Sequence, residues 1–271
     1  MKKVYPNVSI ILPTLNEADN INKLIPEIIQ ELNFIDISNY EILVVDDNSN
    51  DNTKLIMDKL TEQYKNVEFL IRTEPPSLPM AIYDGINNAN FENVLWLDAD
   101  GSMDSKSIKK LILKFTENND SVIIGSRFAD GGGYKGVKEV GNTSLIKSIL
   151  NVRNSKDSVL GMIFSMLLNK FLILYLSSNV KDITSGFIVG KKKYLNNINT
   201  YKKSSYGEYF IYLVNELTIN RIDMIEVGYI CETRNFGESK TANSLIQLFN
   251  RGLPYIQAVI KCKREQNENR R

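Results

Sequence analysis

The sequence predicts an α/β fold with a mostly parallel sheet flanked by helices. Short apolar runs rich in β-branched residues alternate with longer segments through the first half of the chain, which is the signature of βαβ units whose strands are buried on both faces. Composition agrees: 43% of the 271 residues are apolar and 24% charged, as in an ordinary globular chain able to bury one large core.

Five strands are expected, at Val8 to Leu12, Glu41 to Val45, Val67 to Ile71, Val94 to Leu97 and Val122 to Gly125. Helices fall between them, near Glu17 to Leu32, Thr53 to Tyr64, Pro79 to Asn88 and Ser105 to Asn118. Asn50, Asp51 or Asn52 supplies a cap for the second helix, and Asp104 or Ser105 for the fourth. Beyond Asp130, the run Gly131-Gly132-Gly133-Tyr134-Lys135-Gly136 is too short for a linker between domains and reads as a mobile lid. Val159 to Leu176 then holds 14 apolar residues out of 18, interrupted by Gly161, Ser165, Asn169 and Lys170. It is too short and too interrupted for a spanning helix. Two readings stay open: a helix lying in a membrane interface, with Lys147, Arg153 and Lys156 upstream for anionic head groups, or a helix buried in the core or between copies of a homo-oligomer. Gly252 to Ile256 is too brief to span, and Lys261 to Arg271 is a basic, frayed tail.

Several function classes are excluded outright. The chain has no histidine, so histidine-based triads, histidine general bases and histidine-ligated metals are absent. Two cysteines, Cys231 and Cys262, cannot build a disulfide framework or a four-cysteine zinc site, which points to a reducing, cytosolic setting. The N-terminus lacks the pattern of a signal peptide. A net charge of +1 conceals an asymmetry: residues 1–130 carry 12 Lys/Arg against 21 Asp/Glu, and the remainder 21 against 11. An acidic half suits a divalent metal and a basic half suits phosphates, soluble or at a membrane surface; a solvated charged face is the simpler alternative. A nucleic-acid partner is not expected.

Chemistry concentrates where predicted strands end. Asp98-Ala99-Asp100 follows Val94-Leu95-Trp96-Leu97, so two hard oxygen ligands emerge together at a turn. They suit Mg²⁺ or Mn²⁺ that keeps positions open for a diphosphate, the metal then stabilising a departing nucleoside diphosphate. Asp46-Asp47 ends the second strand; these carboxylates either accept hydrogen bonds from a base or ribose or serve only the turn into the next helix. Two acidic strand ends close together repel unless a cation lies between them. In open α/β sheets ligands bind beyond the strand C-termini, so these clusters and Pro13 to Glu17 are expected to share a cleft.

The segments Ile10 to Glu17, Val44 to Ser49 and Leu97 to Asp100, with Gly125-Ser126-Arg127, Asp182 to Phe187 and Arg234 to Lys240, together resemble the inverting family 2 glycosyltransferases of GT-A fold. Within them the order of motifs over residues 5–245 is similar to the polyprenyl-phosphate (dolichyl-type) mannose synthases. That resemblance implies a nucleotide-diphosphate sugar donor, GDP- or UDP-linked, a polyprenyl phosphate acceptor and peripheral attachment to the cytosolic face of a membrane. It implies that Pro13, Leu15, Glu17, Asp46 and Asp47 line the nucleotide pocket, that Asp98 and Asp100 hold metal and diphosphate, that Arg127 reaches phosphate, and that Arg234, Lys240 and Lys192 clamp the acceptor phosphate. Residues 1–245 would form the transferase domain, with 1–130 the donor and metal half, 131–245 the acceptor half with an interfacial helix over 157–178, and 246–271 a C-terminal helix and tail.

A phosphate acceptor is already anionic and needs no strong base, consistent with the missing histidine. A hydroxyl acceptor would need a carboxylate, for which Glu208 and Glu216 are candidates. A noncatalytic nucleotide-sugar-binding module and a nucleotidyltransferase are the competing classes. Ser102, Ser77-Leu78-Pro79-Met80 and Asn48 depart from the family pattern at the metal, donor-loop and turn positions; asparagine tolerates a left-handed turn.

Overall fold

The computed structural model describes residues 5–37, 39–134, 137–138, 159–176, 178–232 and 245–269. The five expected strands are present as β1 (Val8–Thr14), β2 (Tyr40–Asp46), β3 (Val67–Ile71), β4 (Asn93–Trp96) and β5 (Val122–Ser126). Between them lie α1 (Ala18–Phe34), α2 (Thr53–Gln63), α3 (Leu78–Asn88) and α4 (Ser105–Glu117). Asp104 caps α4 by accepting from the Lys106 N–H at 3.0 Å, and Asp51 Oδ1 accepts from the Thr53 N–H at the start of α2 at 2.9 Å.

The second half adds β6 (Gly133–Tyr134), β7 (Val137–Lys138), α5 (Val159–Leu176), β8 (Ile188–Lys191), α6 (Lys192–Leu195), α7 (Ile198–Lys202), α8 (Tyr209–Ile219), β9 (Met224–Gly228), β10 (Ile230–Cys231) and α9 (Leu245–Glu268). The main sheet has seven strands in the order β3-β2-β1-β4-β8-β5-β9. Only β8 runs against its neighbours, pairing antiparallel with β4 and β5, while β5 and β9 pair in parallel. Both halves of the chain therefore share one sheet.

Successive strand residues alternate between two cores, as the strand period of two demands. Ile10, Leu12, Ile42, Val44 and Leu95 face the layer of α1, α2 and α4, whereas Ile11, Leu43, Val45, Val94 and Trp96 face that of α3, α5, α8 and α9. On the second side Trp96 Nε1 donates to the Tyr209 hydroxyl at 3.0 Å. Cys262 of α9 is fully buried there, and burial pushes its thiol up to about 12. The folded protein should leave Cys262 unalkylated by iodoacetamide at neutral or mildly alkaline pH; rapid labelling by mass spectrometry would contradict the packing of α9.

The glycine-rich stretch departs from the expected lid over its described part. Gly133–Tyr134 pairs in parallel with Ile230–Cys231, and Gly132 is buried where a Cβ would come within 2.7–2.8 Å of the carbonyl oxygens of Ser126, Arg127 and Ala129. Here the glycine is needed for close backbone approach, not for mobility.

Helix α5 has two faces. Asn169, Leu172 and Leu176 are buried, and the Asn169 side chain explains the polar break in the run: its Nδ2 donates to Lys181 O at 2.9 Å and its Oδ1 accepts from the Ile183 N–H at 3.2 Å. On the other face Leu167, Phe171 and Leu174 are 63%, 50% and 70% exposed, three large apolar side chains at helical spacing. Among the described residues no helix is long and apolar enough to cross a membrane. Lys147, Arg153 and Lys156 lie outside the described residues.

Candidate active site

The parallel strands β1, β2 and β4 bring their C-terminal ends to one edge of the sheet, and an open cleft of about 180 Å³ lies there. Six expected site residues line it: Pro13, Leu15, Glu17, Asp47, Asp98 and Asp100. Ser77, Leu78, Ser205 and Tyr206 complete much of the wall.

Two loops are tied together at the donor end. Asn16 and Asn48 both adopt left-handed backbone, at φ 57° and 59°. The Asn16 N–H donates to Ser49 Oγ at 2.7 Å and the Asn50 N–H returns a bond to Asn16 Oδ1 at 2.8 Å. Asp46 belongs to this scaffold and not to the pocket: its carboxylate accepts from the Ser49 N–H at 2.9 Å and from the Ser49 hydroxyl. The nucleotide role expected of it is thereby corrected to turn chemistry.

Asp47, the next residue, points the other way. Its Oδ2 accepts from the Ser77 N–H at 2.8 Å, and its Oδ1 is paired with buried Arg72, which also donates through Nε to Asp84 at 2.7 Å. Burial raises the Asp47 carboxyl above the usual carboxylate range, outweighing the lowering by the Ser77 N–H and by Arg72. The charge of this strand end is thus met by Arg72, and no shared metal is required between the two acidic strand ends. Arg72 immediately follows β3; a cation at a strand terminus was the signal that could have found it.

Asp98 and Asp100 stand on the loop after β4. Gly101, at φ 72°, turns the chain sharply, so the Ser102 N–H donates to Asp100 Oδ1 at 2.9 Å. Asp100 is only 7% exposed. Among the described residues no three acidic or cysteine side chains form a self-sufficient metal cage. Two hard carboxylates on one loop nonetheless fit a small divalent cation that completes its shell with water and phosphate oxygens. The loop is braced from the second half, where the Glu232 N–H donates to Ser102 O at 2.8 Å and Met103 bridges to Cys231.

The basic residues divide. Arg127 lies at the end of β5, and its guanidinium forks onto fully buried Asp182, Nε to Oδ2 at 2.8 Å and Nη2 to Oδ1 at 2.6 Å, with a third bond to Thr184 at 2.8 Å. Arg127 is thereby held in place by Asp182. It lies at the same sheet edge as Asp98, because β4 and β5 both pair antiparallel with β8 and so run in the same direction. Lys192 is a clear correction. Because β8 is antiparallel, its C-terminal end lies level with Asn93 at the start of β4, and Lys192 donates there to the Ala89 and Glu92 region, its Nζ to Ala89 O. That is the edge away from the cleft. Arg234 and Lys240 lie outside the described residues.

Neither glutamate considered as a base is arranged for that work. Glu208 is buried and accepts from the N–H groups of Ser205 and Tyr206, and Glu216 accepts from Asn197 and Thr200.

A mostly parallel sheet with acidic turns gathered at its C-terminal edge defines a GT-A, nucleotide-diphospho-sugar transferase fold. Residues 9–199 match the model of glycosyl transferase family 2, and the chain belongs to that family. It is 34% identical over 165 residues to a dolichol-phosphate mannosyltransferase of Pyrococcus furiosus, an alignment covering 57% of this chain and 44% of the relative. The chain thus spans less than half the length of that relative. It is 26% identical over 242 residues to the dolichol-phosphate mannosyltransferase of Saccharomyces cerevisiae, covering 88% of this chain and 82% of that one. In fold it is similar to glucosyl-3-phosphoglycerate synthase of Mycobacterium tuberculosis, crystallised with Mn²⁺, UDP and glucosyl-3-phosphoglycerate, with a TM-score of 0.63 at 14% identity over 95% of this chain and 80% of that one.

Proposed function

We propose that the protein transfers a sugar, mannose or glucose, from a nucleotide-diphosphate sugar to a polyprenyl phosphate with inversion at the anomeric carbon. The observation that carries this reading is the convergence of Glu17, Asp47, Asp98 and Asp100 on one cleft. Asp47 takes the nucleoside end, and Asp98 and Asp100 hold Mn²⁺ or Mg²⁺ at the diphosphate. The metal supplies charge neutralisation of the leaving diphosphate. Arg127, oriented by Asp182, with Arg234 and Lys240, places positive charge where an acceptor phosphate enters. That acceptor oxygen is already anionic, so positioning and electrostatics suffice. The exposed apolar stripe of α5 supports a peripheral seat on the membrane that holds the lipid. The Pyrococcus and yeast relatives, named for transfer to dolichol phosphate, support the same acceptor.

Radiolabelled GDP-mannose, UDP-glucose and related donors, incubated with polyprenyl phosphate and Mn²⁺, should give an organic-extractable, mild-acid-labile product. A product that stays in the aqueous phase would favour a hydroxyl acceptor, and no product with any common donor would reject the activity.

A pH dependence follows from Asp47. Protonation removes the negative charge of Asp47 and turns one of its acceptor oxygens into a donor, so nucleotide affinity should fall as pH drops through its raised pKa, beginning at a higher pH than for an exposed aspartate. Arg72→Gln removes an influence that lowers this pKa and shifts the fall further upward. At neutral pH the variant should bind UDP or GDP about tenfold more weakly by titration calorimetry; wild-type affinity at every pH would contradict a role for Asp47.

A further inference from the structure

The cleft wall formed by Ser205 and Tyr206 is built in an unusual way. It is a short turn whose shape is imposed from beneath: Glu208 accepts from the Ser205 N–H at 2.7 Å, the Ser205 hydroxyl at 2.9 Å and the Tyr206 N–H at 3.1 Å. Tyr206 itself remains 51% exposed. The next residue, Gly207, has no room for a side chain. A methyl group there would lie 2.3 Å from the Tyr255 hydroxyl oxygen, though 3.4 Å from Tyr255 Cζ. Tyr255 belongs to α9, outside the 9–199 span that defines the family, and packs into the core on the α8 side of the sheet. Asp98, Glu208 and Arg127 are close enough to act electrostatically on its phenol, which burial pushes upward.

We propose that Tyr255, whose hydroxyl end meets Gly207, is a positioning residue that props the Ser205–Tyr206 turn against the cleft, and that this turn contacts the sugar of the donor rather than its nucleotide. The inference rests on the cleft being the nucleotide-sugar site. The assignment to the sugar follows from the proposed function: with Asp47 taking the nucleoside and Asp98 and Asp100 the diphosphate, the Ser205–Tyr206 turn, which lines the same cleft from the second half of the chain, is left to meet the sugar. α9 is then part of the active site through one aromatic side chain, and the glycine before Glu208 is the space that side chain needs.

The test is titration calorimetry of the full-length chain with Mn²⁺ and four ligands, UDP, UDP-glucose, GDP and GDP-mannose. Taking the pair that binds wild type, Tyr255→Ala, Gly207→Ala and the surface change Tyr206→Ala should each weaken the nucleotide sugar by about fivefold or more, with the bare nucleotide within about twofold of wild type. Tyr255→Phe, which removes the atom nearest Gly207, should weaken the nucleotide sugar in the same direction by about twofold or more. Gly207→Ala combined with Tyr255→Phe should regain wild-type affinity, since removing the hydroxyl removes the clashing atom. Nucleotide-sugar affinity unchanged in Tyr206→Ala, or nucleotide and nucleotide sugar weakened equally in all variants, or no rescue in the double variant, would each overturn the proposal. Wild type that binds none of the four ligands would instead reject the proposed function, and this inference with it.

Discussion

Asp100→Asn lowers sugar transfer by about 10²–10³-fold, the scale at which loss of one preorganised electrostatic partner of a transition state is felt. Asparagine keeps an acceptor oxygen for the Ser102 N–H and nearly the same volume, so the turn after β4 survives and only the charge is lost. With that charge would go a proposed ligand of the divalent cation that would neutralise the departing diphosphate. Steady-state kinetics at saturating donor, with thermal unfolding as a control for the fold, check this. Activity within about fivefold of wild type would show that Asp100 holds no catalytic charge.

The largest effect on stability is expected at Arg127. Arg127→Ala leaves Asp182, fully buried, without the fork of donors that satisfies it, and stranding one member of a buried ion pair costs about 3–5 kcal/mol. For a chain of this size that is a fall in Tm on the order of 10 °C. Asp182 also accepts from the Arg127 backbone N–H at 2.9 Å, and its own N–H donates to Glu226 at 3.1 Å. Arg127→Lys should recover little, because a point charge cannot reproduce two parallel bonds. Calorimetric unfolding within 2 °C of wild type, about the scatter expected of a surface substitution, would mean the pair is not a structural element.

What could be read from the sequence follows a physical division. Strands β1, β2, β4 and β5 are legible because each is a compact, mostly buried apolar run flanked by turn or capping residues such as Asp51 and Asp104, and β3 by its apolar run alone, since it is a half-exposed edge strand. β8 and β9 are not. β8 is four residues wedged antiparallel between β4 and β5, a pairing that no local pattern encodes. β9 carries Glu226 in its middle, which reads as polar until its bonds to the Lys181 and Asp182 N–H groups are known.

The same division holds for the site. The convergence of Asp47, Asp98 and Asp100 on one cleft is legible because a strand's end fixes where the next side chains emerge. The edge on which Lys192 lies is set by the direction of β8, which no local pattern encodes, and reversing one strand moves its last residue to the opposite edge. No local pattern identifies Asp182, 55 residues away, as the partner of Arg127. Asp46 and Asp47 are adjacent in sequence yet divide between turn and pocket, which only the Ser49, Arg72 and Ser77 contacts reveal.

The most direct measurement is electron paramagnetic resonance of Mn²⁺ titrated into the protein with and without the nucleoside diphosphate that binds it. One tightly held Mn²⁺ per chain should appear when the nucleotide is present and disappear in the combined Asp98→Asn, Asp100→Asn variant. A nucleotide-dependent Mn²⁺ signal that persists undiminished in that variant would contradict the account.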